Sequence, residues 1–173
     1  MLLFCARLAL AQEAPMPPNW LEEAVKKYQT IHPLEQKKED ETLYTFFSFG
    51  MPEASIRRMI ADAEASGAIL VLRGMKENSL QKTKTEAARI IGKHRVEIDI
   101  NPTLYKHFKI TAVPAVVIAR GDCESCKESP KESDYIKMSG DVTLSYALEK
   151  LEDQYPDWKK EIGRYKNNLE SKK

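Results

Sequence analysis

The chain has no long hydrophobic run beyond its apolar N-terminus. Nothing later approaches the ~18 consecutive apolar residues of a membrane span. It has no excess of one charge either: 27 Lys and Arg stand against 26 Asp and Glu, a net +1. No basic stripe stands out, which weighs against a nucleic-acid surface. Aromatics are only 8% of residues, too few for a platform that stacks bases. The three histidines, His32, His94 and His107, show no metal-ligand spacing, and no cofactor signature is present. There is no internal repeat. What remains is 173 residues, 42% hydrophobic and 31% charged. That describes a soluble globular protein of one domain with extensions.

Cysteine is scarce: Cys5, Cys123 and Cys126. Residues 1–12 are apolar and close on Ala9-Leu10-Ala11, a small-residue cleavage pattern of the secretory type. Arg7 interrupts the run and no basic residue precedes it. The expectation is that residues 1–11 are the remnant of an export signal whose start lies upstream. Cys5 would leave with that signal. Cys123 and Cys126 would remain, an even count suited to a disulfide in an oxidising compartment.

Residues 12–42 read as an N-terminal helix and a charged linker. Asn19 and Glu22 have capping-box spacing, and Trp20, Leu21, Ala24, Val25 and Tyr28 share one face. His32-Pro33 stops that helix. The domain boundary falls in the charged stretch 35–42.

Residues 43–155 alternate buried-strand and amphipathic-helix patterns. Strands are expected at 43–49, 68–72, 95–98, 115–119 and 135–138. The first helix places Pro52 at its first position and turns Ile56, Met59, Ile60 and Ala63 inward, ending at Ser66-Gly67. The second is capped by Asn78-Ser79 and buries Leu80, Ala87, Ile90 and Ile91. A helical turn carries Leu104, Tyr105 and Phe108. Gly140-Asp141 caps a helix that buries Leu144, Ala147, Leu148 and Leu151. The helix at 156–173 carries Trp158, Ile162, Tyr165 and Leu169 on one face, which packs back on the domain or docks to a partner. The dominant order, β-α-β-α-β-β-α with right-handed crossovers, is that of a thioredoxin-like α/β three-layer sandwich, with a helix added at each end.

Four constellations carry the functional reading. Val113-Pro114 sits immediately before a buried strand, where thioredoxin-like folds hold a cis-proline facing the first turn. A cis bond there would expose a backbone edge able to pair with an extended peptide, and a trans proline would merely start the strand. The first strand-to-helix turn reads Gly50-Met51-Pro52-Glu53, where a redox enzyme would carry Cys-x-x-Cys. Without a thiolate the turn offers either a docking groove, with Met51 as an adaptable apolar contact, or an ordinary helix start. Arg73-Gly74 closes the second strand, at the edge where such sheets bind ligands. The competing reading is a surface arginine paired with a carboxylate such as Asp99. Cys123-Glu124-Ser125-Cys126 has redox spacing in a polar loop, with no helix N-terminus to lower a thiol pKa. It reads as a structural disulfide, a redox pair or half of a zinc site.

As a set, Phe47-Ser48-Phe49-Gly50-Met51-Pro52, Leu70-Val71-Leu72-Arg73-Gly74-Met75, Asn101-Pro102-Thr103-Leu104-Tyr105, Val113-Pro114-Ala115 and Gly140-Asp141-Val142-Thr143-Leu144-Ser145-Tyr146-Ala147-Leu148 resemble the TrbC family of F-type conjugative pilus assembly proteins. The blocks occur in order and cover roughly 43–150. The resemblance implies a periplasmic, thioredoxin-like assembly factor of a type IV secretion system, needed for pilus assembly and plasmid transfer. It implies a TraW-like partner and no catalytic residues. The Cys123/Cys126 insertion has no counterpart in the family pattern. The resulting expectation is a non-enzymatic protein that uses Gly50, Met51, Pro52, Arg73, Val113 and Pro114 to hold another assembly protein. Its rival is a thiol-disulfide oxidoreductase or isomerase working through Cys123 and Cys126.

Overall fold

The computed structural model describes residues 41–121 and 130–171. The expected export signal, N-terminal helix and linker, and the Cys123/Cys126 pair, lie outside the described residues, save for positions 41 and 42. Ten regular elements follow one another: β1 (Glu41–Phe47), α1 (Glu53–Ser66), β2 (Ile69–Leu72), α2 (Leu80–Ile91), β3 (Ile98–Ile100), α3 (Pro102–His107), β4 (Ala115–Arg120), β5 (Tyr135–Ser139), α4 (Leu144–Gln154) and α5 (Lys159–Ser171). The five strands form one sheet in the order β3-β2-β1-β4-β5. β1 and β2, and β2 and β3, run parallel through helical crossovers; β1–β4 and β4–β5 are antiparallel.

Central strands covered on both faces must be apolar on both faces, and these are. Leu43 and Phe47 of β1 turn to one side, with Leu70, Leu72, Val116 and Ile118, under α1, α4 and α5. Tyr44 and Phe46 turn to the other side, with Val71, Val117 and Ala119, against Leu104 and Tyr105 of α3 and Phe108 just after it. The result is a three-layer α/β arrangement. Trp158, Ile162, Tyr165 and Leu169 all belong to the first cluster, so the α5 stripe packs back on the domain.

Several boundaries differ from the sequence reading. β1 ends at Phe47, and Ser48 to Gly50 turn instead. Pro52 precedes α1, with an extended ψ of 133°. Its carbonyl accepts the N–H of Ser55 and of Ile56, which makes it the cap position. The third strand is Ile98–Ile100, because its pairing begins where Ile98 meets Leu70. Leu80 lies in the first turn of α2, at the end of the layer, and is 50% exposed. Thr83 is buried there, its hydroxyl accepting the Lys76 N–H at 2.8 Å and donating to the Ser79 carbonyl. Thr143, not Gly140-Asp141, caps α4, its hydroxyl accepting from the Tyr146 N–H. The Asp141 carboxylate is taken instead by the Ser55 hydroxyl (2.7 Å) and by Arg58.

Candidate functional site

The carboxyl ends of β1 and β2 open onto a groove of about 570 Å³. Three separate stretches of sequence supply most of its lining. The turn after β1 supplies Ser48, Phe49 and Gly50; the turn after β2 supplies Arg73, Gly74 and Met75; and the segment leading into β4 supplies Ile110 to Val113. Each comes there for a local reason. After Phe47 the chain folds into a turn closed by the Met51 N–H donating to the Ser48 carbonyl (3.1 Å) and the Gly50 N–H to the Ser48 hydroxyl (3.2 Å). β2 stops at Leu72, where its carbonyl accepts the Asn101 N–H at 2.9 Å. Asn101 then caps α3, its side-chain oxygen accepting the N–H of Thr103 and of Leu104. That cap sets the phase that turns Tyr105 inward.

Tyr105 forms the floor. It is 6% exposed, and its hydroxyl donates to the Phe47 carbonyl (2.8 Å) and lies 3.2 Å from that of Val71, so it ties the ends of the two central strands together. Burial pushes its hydroxyl pKa up to about 12, opposed by the nearby Arg73 charge. Sequence reading assigned Tyr105 to the core alone. The signal that places it in the groove is the Asn101-Pro102 cap.

The Val113–Pro114 peptide is cis. The Pro114 carbonyl accepts the Gly140 N–H at 3.0 Å, and β4 begins at Ala115, opposite Phe46 on one side and Ser139 on the other. Before that point the ladder is open. Among the described residues, no backbone group pairs with the main chain of Thr111, Ala112 or Val113. Thr111 and Ala112 are exposed and Val113 half-buried. Val113 lines the groove, whereas Pro114 does not.

Gly50 and Arg73 stand together at this groove, and Met51 and Pro52 do not. Met51 is half-buried against the cluster beneath α1, because the turn swings its side chain toward the helix layer. Arg73 is exposed and makes no ion pair with any described residue, Asp99 included. Asp99 is level with Val71, two residues back along the strand, which sets it about 6–7 Å short of Arg73. The other charges of the lining are occupied. Lys76 pairs with Glu86 at 3.2 Å, and Glu77 with Lys82. Outside the groove, Glu53 is held below the usual carboxylate range by Arg89 and then Arg57. This network is solvent-exposed. Among the described residues no cluster of His, Cys, Asp and Glu could hold a metal ion, and no helix is long and apolar enough to cross a membrane.

Residues 45–151 match the family described as Type-F conjugative transfer system pilin assembly protein. The periplasmic protein TrbC of Escherichia coli (strain K12) is 29% identical over 134 residues, which make up 77% of this chain. The aligned region spans 57% of that relative's own length. No solved structure matches the chain.

Proposed function

The chain belongs to the family of type-F conjugative transfer system pilin assembly proteins, and from that premise we propose that it is a periplasmic, non-enzymatic assembly factor that holds another pilus-assembly protein in the groove at the ends of β1 and β2. The location is that in the name of its E. coli relative. The sheet order and the proline before β4 support a thioredoxin-like assignment. Family resemblance points to a TraW-like protein as the partner, and to a requirement in pilus assembly and plasmid transfer. The observation that carries the proposal is the convergence of the Gly50 turn, the Arg73-Gly74 turn and the 111–113 backbone, unpaired among the described residues, on one groove whose described lining contains no cysteine. Such a surface can bind a chain segment but offers no nucleophilic sulfur.

Gly74 supplies the test. A Cβ built there meets nothing within 4 Å, so a side chain can start from this lining position without a clash at its first atom. In a conjugating host lacking its own copy, the wild-type chain should restore pili and plasmid transfer. Gly74→Phe should accumulate normally yet fail to restore either. Transfer at wild-type frequency with Gly74→Phe would overturn the docking role of the groove.

A further inference from the structure

We propose that the groove selects an extended segment of its partner that carries an acidic side chain, received by the Arg73 guanidinium. This rests on the groove being the docking site and adds the chemistry of what docks. The lining is dominated by apolar groups, among them Leu72, Met75 and Ile110, which favour an aliphatic or aromatic neighbour on the incoming segment. Several of its polar groups already have partners. The Tyr105 hydroxyl is engaged by the carbonyl of Phe47 and lies against that of Val71. Lys76 and Glu77 already have partners of opposite charge. Two features of the lining, without a partner among the described residues, can take up a docking segment. One is the main chain of Thr111–Val113, which an extended segment satisfies by adding as a short strand. The other is Arg73, whose planar fork fits a carboxylate with two parallel hydrogen bonds. A basic segment would set like charge beside Arg73, and a neutral one would leave it without its ion pair. The occupant is therefore an aspartate or glutamate side chain within the segment.

Selection of random short peptides, displayed as N-terminal fusions on phage so that none has a free C-terminus, tests this on the full chain. Three immobilised forms are compared: wild type, Arg73→Gln and Gly74→Phe. The expected result is enrichment of peptides with Asp or Glu flanked by apolar residues on wild type only. Peptides synthesised from that pool should bind Arg73→Gln about tenfold more weakly, the loss of one charge-assisted pair. Their Asn or Gln counterparts should lose as much on wild type. Enrichment without acidic residues, equal on Arg73→Gln but absent on Gly74→Phe, would overturn the acidic specificity and leave the docking groove standing. Peptides that bind Gly74→Phe as well as wild type, or no enrichment on any form, would overturn both.

Discussion

Tyr105 and Gly67 are single residues on which the local structure turns. Tyr105 hydrogen-bonds the Phe47 carbonyl and sits beside that of Val71 at the ends of two strands, and its ring meets Phe46 edge-on at 4.8 Å between centroids. Tyr105→Phe keeps the ring and removes the donor, so the cost should be about 1–3 kcal/mol in urea unfolding. The pH dependence has a definite sign. The folded hydroxyl pKa is about 12, against an ordinary value of 10.0. Between those values the unfolded chain gives up this proton and the folded chain keeps it, so Tyr105 contributes a loss of stability as pH rises through that window. Unfolding midpoints from pH 9 to 12 should therefore fall less steeply in Tyr105→Phe than in wild type. Parallel slopes would contradict the buried hydroxyl. Gly67 ends α1 with φ of +79°, a left-handed cap whose N–H donates to the Ala63 carbonyl at 2.8 Å. Gly67→Ala should cost about 1 kcal/mol from backbone strain alone, since its Cβ would meet nothing.

The C-terminal helix is the element whose role the amphipathic pattern left open. Trp158, Ile162, Tyr165 and Leu169 could have served a partner or their own domain. They are buried against α1 and α4, with Ile162 fully inaccessible. Polar ties accompany the packing. The Tyr165 hydroxyl donates to the Glu41 carbonyl at 3.2 Å, Asn168 reaches the Ser66 carbonyl, and Arg120 lies 3.9 Å over the Trp158 ring while pairing with Glu161. Ile162→Ala should therefore destabilise by about 2–5 kcal/mol, the usual range for emptying a core site. A helix held in reserve for a partner would tolerate the change with no shift in the urea midpoint.

At the scale of the molecule, five strands between two unequal helix layers bring the ends of β1 and β2 to one edge. There the three lining segments meet although more than 60 residues separate Gly50 from Val113 in sequence. Assembly factor and thiol enzyme differ at this level. With dithiothreitol supplied as the reductant, the full chain should not accelerate the reduction of insulin disulfides, and its Cys123→Ser form should behave identically in that assay. Steady turnover that disappears in Cys123→Ser would replace the docking role with a redox one.

The alternation of apolar runs with 3.6-residue stripes was enough to determine which segments are strands and which helices and, Leu80 and Thr83 apart, which side of each helix is buried. Those patterns are local and follow from the period of each backbone. The proline before β4, the Ser79 cap and the Gly67 stop were legible for the same reason. Edges were less so. Pro52, Ile98, Leu80 and Thr143 depend on where a strand finds a partner or a layer runs out, which no short window contains. The groove belongs to the tertiary structure altogether. Gly50, Arg73 and Val113 could be singled out one by one. That Met51 turns to the core while Tyr105 becomes the floor was decided by packing, as was the absence of an Arg73–Asp99 pair. Each is a distance between residues far apart along the chain, and only the folded sheet sets it.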